Sequence, residues 1–396
     1  MSKIEWQFYS TSTGYFTAQV LSASYTTGRE SQYDTYNPGG LTITIDNSDN
    51  YVNNFNLADR IVLVDTVPFV NFNQYFWLSY VDLNDAPGNA NGSTATLYCT
   101  DVLGRLGRSQ VYNRAITADT TMFQISDTFQ SEMPGTGNIT LSSQGDSTAS
   151  AEAAFSSTPL DRLNLNMVTE QGTLSLREGD LFLNGRSTVV NPSTVIFDRT
   201  TLAPNQIGYT NILRKQLGQN YVNAFTVSPI SGTAQNAVNT DGQTAYGIYS
   251  GEISSVDYNN AQAESLAEWM VFSRNNPEQL SFTIEFDDLG NDVISFLEAL
   301  FATENYFEIN YINPGAEATQ TVNQILQGYK MEMSPEQTRF TCFFSPAAFI
   351  DFFTLDSATN GILGGSGVTY NNATEYNQTG FKYNDASTSS GSRLGW

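Results

Sequence analysis

The sequence predicts a mainly β protein with some α-helix, and three observations carry that expectation. Strand and turn formers dominate: there are 25 Phe, 21 Tyr and 30 Gly, while charged residues make up only 14%. Long surface helices would draw on more Glu, Lys and Ala than this. Short runs such as Leu41-Thr42-Ile43-Thr44-Ile45 alternate apolar and polar, the period of a half-buried strand. Clusters of Asn, Asp, Ser, Gly and Pro punctuate these runs with turn chemistry. The 396 residues suffice for two or three domains at roughly 100–200 residues each.

Residues 1–111 read as strands of a small barrel or sandwich. After the alternating run at Leu41, Asp46-Asn47-Ser48-Asp49-Asn50 supplies a turn. Phe76-Trp77-Leu78-Ser79-Tyr80-Val81 is a strand, Asp85 to Gly92 a loop, and Thr94 to Cys99 a returning antiparallel strand. Residues 112–200 mix both element types. Met122, Ile125, Phe129 and Met133 recur at helical intervals, which predicts a helix over 120–133. Thr158-Pro159 opens another helix, with Thr as the cap and Pro at the first turn, where its missing N–H costs nothing. Gly172 to Leu176, a turn at Arg177-Glu178-Gly179, and Asp180 to Leu183 form a hairpin.

Residues 201–347 return to strands with two helices. Leu266, Trp269, Met270 and Ser273 mark a helix ending before Pro277, and Val293 to Phe301 a second amphipathic one. Leu280, Phe282, Ile284 and Phe286 alternate as a strand, and Phe307, Ile309 and Tyr311 as the next. Tyr329 to Met333, the turn Ser334-Pro335-Glu336, and Arg339 to Phe343 make a hairpin whose second strand carries Cys342. It echoes the first region, where a strand carrying Cys99 closes the unit, as two copies of one barrel in a single chain would. Residues 348–396 change character: rich in Gly, Ser, Thr, Asn and Tyr, they cannot build a core alone. They read as an extended arm that lies on a neighbour, with Tyr370, Tyr376, Phe381, Tyr383 and Trp396 as anchors. Gly361 to Gly367 lacks a following Lys-Ser/Thr, so it is a hinge and not a phosphate loop.

Composition narrows the chemistry. Forty acidic against 17 basic residues give a net charge of −23, which repels nucleic acid unless bases cluster. The densest basic group, Arg105, Arg108 and Arg114, is mild. The chain has no histidine, which removes the Ser-His-Asp and Cys-His arrangements and a histidine base. Cys99 and Cys342 stand far apart with no zinc spacing or disulfide framework, so no metal or cofactor is expected. Met1 to Trp6 opens no signal peptide and Phe343 to Leu355 is too short to span a bilayer, so a soluble protein made in a cytoplasm is expected. Carboxylate pairs could still serve a glycosidase, the candidates being Glu285/Asp287/Asp288 and Asp46/Asp49. Both groups read more simply as solvated turn or strand-end carboxylates. Asp46-x-Ser48-x-Asn50 lacks the Gly and Glu of a calcium loop, having Tyr51 and Leu57 there, and reads as a turn. No catalytic, cofactor-binding or metal residue is assigned.

Several runs in a consistent order resemble the minor tail proteins of long-tailed bacteriophages, the group that includes tail-tip (baseplate) hubs. They are Leu41 to Asp49, Cys99 to Leu106, Thr169 to Leu174 through Gly185-Arg186, and Asn223 to Val227 with Tyr246-Gly247 and the Ala261–Met270 helix. Leu355-Asp356-Ser357, Gly361-Ile362-Leu363 and the terminal Arg393-Leu394-Gly395-Trp396 complete the series. The resemblance implies two tail-tube-like β-barrel domains, 1–111 and 201–347, an inserted α+β domain, 112–200, and an extended C-terminal arm, 348–396. It further implies a homotrimer whose six barrels mimic a six-fold ring. Such a ring sits in the virion, made in the host bacterial cytoplasm, contacts distal tail, tip or fibre proteins, and passes DNA without specific binding. The competing expectation is a carbohydrate-binding adhesin module, which would need aromatics exposed on a sheet face. A hydrolase would need a catalytic domain, and no segment of that character is left over.

Overall fold

In the computed structural model the described residues are 6–347, less segments 66–72, 85–91, 133–138, 142–144, 187–190, 201–204, 217–219, 277–279, 291–292, 303–304 and 314–317 and positions 110, 178, 200, 258, 275, 288 and 290. The expected loop at Asp85 to Asn91, Asp288, and the entire arm with its hinge lie outside the described residues.

The first strands are β1 (Trp6–Ser10), β2 (Gly14–Tyr15), β3 (Val20–Gly28), β4 (Gly40–Asp46), β5 (Arg60–Asp65), β6 (Asn73–Asn84) and β7 (Thr94–Thr100). Alternation works as expected in β4, where Leu41, Ile43 and Ile45 are fully buried. β7 returns antiparallel to β6. A five-residue helix, α1 (Val102–Leu106), follows because the Asp101 carboxylate caps it, accepting from the Gly104 N–H at 3.1 Å. The same carboxylate also accepts from the Gly39 N–H at 2.8 Å, tying the start of β4 to the end of β7.

The next elements are β8 (Val111–Ile116), β9 (Thr120–Thr121), α2 (Met122–Asp127), β10 (Ile139–Leu141), β11 (Thr148–Ala149), β12 (Glu152–Ser157), α3 (Pro159–Glu170), β13 (Thr173–Arg177) and β14 (Asp180–Asn184). α2 is shorter than the expected 120–133: it starts at a Thr121/Gln124 capping box and gives way to a 3-10 turn at Thr128. Two hydroxyls bond its backbone carbonyls, Ser126 to Met122 at 3.0 Å and Thr128 to Ile125 at 2.6 Å. Such bonds compete with the helical ladder. α3 begins as its sequence requires, Thr158 accepting from the Asp161 N–H at 3.1 Å with Pro159 in the first turn. Met122, Phe123, Leu163, Met167, Leu174 and Leu181 share one core here. Arg162, only 4% exposed, is held by a two-pronged pair with Glu152 at 2.8 and 2.9 Å.

The last elements are β15 (Asn191–Asp198), β16 (Gln206–Gly208), β17 (Asn211–Gln216), β18 (Ala224–Pro229), β19 (Gln235–Val238), α4 (Thr240–Tyr246), β20 (Ser250–Ser255), α5 (Asn260–Arg274), β21 (Leu280–Asp287), α6 (Val293–Phe301), β22 (Asn305–Ile312), β23 (Thr319–Met333) and β24 (Thr338–Pro346). β19, β18 and β20 form a sheet of their own, and α5 covers it with Ala263, Leu266, Ala267 and Met270 against Phe225 and Val227. α6 instead packs Phe296, Leu297 and Leu300 into the largest core. There Phe197 stacks on Phe307 at 5.1 Å and meets Phe286 and Phe344 edge-on or tilted.

One sheet of 14 strands joins the two ends of the described chain. β1, β3, β4, β5, β6 and β7 lie in the order β3-β4-β7-β6-β5-β1, and β15, β17, β21, β22, β23 and β24 in the order β17-β21-β24-β23-β22-β15. Ranked by chain position, each set reads second, third, sixth, fifth, fourth, first. All pairings within both sets are antiparallel except β15 with β22, which is parallel. The echo read from the cysteines has a structural counterpart. Cys99 lies in β7 opposite Leu41 and Leu78, and Cys342 lies in β24 opposite Ile284 and Tyr329. Both are buried free thiols whose pKa burial pushes up.

Candidate functional site

The two sets meet where the second half of β23 pairs with β3, running from Gly328 opposite Gly28 to Met333 opposite Ala23. The backbones touch closely at this seam. A Cβ on Gly328 would stand 2.5 Å from the Thr27 carbonyl oxygen, and one on Gly28, at φ +79°, would stand 2.4 Å from the Gln327 carbonyl oxygen. Arg29 locks the junction: its N–H donates to the Gln327 carbonyl at 3.0 Å and its Nε to the Gln327 side chain at 2.8 Å. Its Nη2 donates to the Gly172 carbonyl at 3.1 Å and the guanidinium lies 4.4 Å over the Tyr36 ring. One arginine thus ties the seam to the segment joining α3 and β13.

The seam makes a continuous run of eight strands, β17-β21-β24-β23-β3-β4-β7-β6. One face holds the large core, with Tyr25, Leu41, Ile43, Leu97, Ile284, Phe286, Met331 and Phe340. Cross-strand register puts the alternate residues on the other face. That face is rich in hydroxyls, among them Ser24, Thr26, Thr42, Thr44, Thr96, Thr283 and Thr341. Its charged groups are five carboxylates, Asp46, Asp82, Glu285, Asp287 and Glu332, and three cations, Lys215, Lys330 and Arg339. Two pairs neutralise one another: Arg339 with Asp287 at 2.7 Å and Lys330 with Glu332 at 2.6 Å. Tyr80 stacks on Tyr98 at 4.4 Å near one end of the run.

Asp46, Glu285 and Asp287, singled out from sequence, each have a partner within the fold, while Asp288 lies outside the described residues. Asp287 is taken by Arg339, and Glu285 accepts from the Asn211 side chain at 3.2 Å. Asp46 accepts from the Ser48 N–H at 2.9 Å and hydroxyl at 2.5 Å, bonds that lower its pKa and close the turn before Asn50, which sits at φ +55°. The three arginines fall on separate places: Arg105 in α1, Arg108 after it and Arg114 in β8. Three buried carboxyls that sequence reasoning did not single out are shifted upward by desolvation: Glu170 to about 8, Asp101 to about 7 and Asp257 to about 6. Each is bonded to neighbouring groups of the fold, Glu170 to the Asp146 and Ser147 N–H groups. No helix among the described residues is long and apolar enough to cross a membrane.

No family model and no curated sequence matches this chain. Solved structures do. The tail protein from Neisseria meningitidis MC58 superposes over 88% of this chain and 99% of its own, with a TM-score of 0.61 at 9% identity. The 43 kDa tail protein of prophage MuSo2 from Shewanella oneidensis matches over 87% and 99%, with a TM-score of 0.57 at 10% identity. The prophage tail protein gp18 from Listeria monocytogenes EGD-e matches over 86% and 94%, with a TM-score of 0.51 at 10% identity. The chain has the fold of phage tail proteins.

Proposed function

We propose that this chain is a structural virion protein that forms the hub ring at the tip of a phage tail, joining the tail tube to tip or fibre proteins. The observation that carries the reading is the repeated strand order, which gives one chain two equivalent sets of strands fused through the β3–β23 seam. In this reading the domains are two barrels, about 1–111 and 201–347, the latter recruiting β15 from Asn191 onward. An inserted α+β domain occupies about 112–200, and the arm 348–396. Three copies then present six equivalent sets around one axis, so a three-fold ring abuts a six-fold tube.

The polar sheet face lines the passage in this arrangement. DNA carries one negative charge per roughly 1.7 Å of duplex, and basic walls would hold it through counterion release. A face of hydroxyls with more carboxylates than cations lets it slide. No residue is assigned a catalytic role. The test is copy number: quantitative mass spectrometry of purified virions gives three copies per particle if the reading holds. Absence from virions, or a count unrelated to three, contradicts it. One observation favours the adhesin reading: Tyr246, Ile248 and Tyr249 are exposed beside Tyr221, whose ring meets both tyrosines edge-on. Glycan-array binding abolished by Tyr246→Ala and Tyr249→Ala would support that second role.

A further inference from the structure

The run of eight strands has two open edges, and the repeat says what each edge is shaped to meet. On one side β23 pairs with β24. On the other it pairs first with β22, through Gln324, and then with β3, from Gly328 onward. β6 is the equivalent strand. One side pairs with β7, and the other pairs with β5 through Trp77 and bonds Leu78 to Ala58 and Asp59. Past Leu78, where β23 continues onto β3, the side of β6 away from β7 has no strand partner among the described residues. β17, the equivalent of β3, pairs with β21 alone among the described residues. Each set therefore keeps half of a seam that within the chain is complete only once.

We propose that residues 79–84 of β6 in one copy pair antiparallel with β17 of the next copy, in the register that sets Tyr80 opposite Leu213. The register follows from aligning the cysteines. Tyr98 precedes Cys99 and faces Tyr80, as Thr341 precedes Cys342 and faces Lys330. Leu41 faces Tyr25, as Ile284 faces Ile212. The seam pairs Lys330 with Thr26 and Met331 with Tyr25. The equivalent pairs between copies are Tyr80 with Leu213 and Val81 with Ile212.

Burial supports this register. Met331 and Tyr25 are both 0% exposed at the existing seam. Val81 and Ile212 pack against the same core but are only partly buried, as residues one strand short of completion would be. Tyr80 and Leu213 are each 52% exposed and Leu83 is 57% exposed, so both end strands of the run leave large apolar side chains open, as Leu21 in β3 also does at 45%. Exposed edges of this kind invite pairing with another chain. Charge is complementary: the β17 edge carries Arg214 and Lys215 and no acid, and the β6 segment carries Asp82 and no base. The two edges differ, so the contact is head-to-tail and either closes into a ring or runs on as a filament.

This inference rests on the ring reading, and the experiment separates the two. Tyr80→Cys and Leu213→Cys are placed in the full-length chain and exposed to copper phenanthroline or a short bismaleimide. The wild type serves as the blank, since Cys99 and Cys342 are buried. Thr26→Cys with Lys330→Cys is the positive control, because that pair sits opposite across the existing seam. The proposal expects covalent dimers when the two single variants are mixed, covalent trimers from the double variant, and at least a five-fold loss of linkage when Lys215→Cys replaces Leu213→Cys. A protein that sediments as a trimer and links the control pair but not Tyr80 to Leu213 overturns the seam and leaves the ring. A protein that stays monomeric at every concentration and links only the control pair overturns both.

Discussion

Replacing Gly328 by alanine tests whether the two strand sets depend on close backbone contact. The new Cβ would stand 2.5 Å from the Thr27 oxygen and 2.7 and 2.8 Å from the Arg29 nitrogen and oxygen. All three are backbone atoms, so no side chain can swing away. Relief to an ordinary contact near 3.4 Å needs about 0.9 Å of movement between β3 and β23. That displacement stretches the 3.0 Å bond from the Arg29 N–H to the Gln327 carbonyl beyond hydrogen-bonding range and weakens its neighbours. Two or three lost bonds at about 1 kcal/mol each, with about 1–3 kcal/mol of overpacking, give a destabilisation of roughly 3–6 kcal/mol. Gly40→Ala is the control, because its Cβ meets only the Cys99 carbonyl oxygen at 3.6 Å. It should change stability by less than about 1 kcal/mol. Urea unfolding followed by tryptophan fluorescence reads the difference, with the Gly328→Ala midpoint lower by roughly 1 M. Equal midpoints for the two variants would refute the claim that this contact holds the sets together.

Two further outcomes follow from the buried carboxyls. Asp101→Ala removes the α1 cap and the tie to Gly39 together, and should cost roughly 2 kcal/mol in the same unfolding assay, with Asp101→Asn retaining part of that loss. Glu170, raised to about 8 chiefly by burial and then by Asp146, favours the protonated form when folded. Its contribution is fully present below its ordinary pKa and is lost as pH rises toward 8, so stability should fall between pH 5 and 8.5. Glu170→Gln should flatten that slope, and a slope unchanged in the variant would show that Glu170 is not its source.

Local order was legible wherever a period or a cap carried it. The alternation in β4 and β21, the Thr158-Pro159 start of α3 and the β13–β14 hairpin all follow from neighbouring residues. α2 fell short of its apolar period because Ser126 and Thr128 bond its carbonyls, a competition that a count of apolar positions misses. The seam was not legible: Gly28 and Gly328 lie 300 positions apart, and neither glycine sits in a turn motif that would mark a close approach. The cysteine echo came nearest, since it is the trace of the repeated strand order, but two residues cannot reveal which strands join. Arg29 was missed for the same reason, as its partners Gln327, Gly172 and Tyr36 come from distant segments.

The central claim is the ring, and averaged cryo-electron micrographs of intact tail tips test it most directly. The account predicts three copies closed about the tail axis, each contributing two equivalent strand sets, with the hydroxyl-rich sheet face toward the passage. A monomeric appendage, a two-fold dimer, or a passage lined by the opposite, apolar face would contradict it.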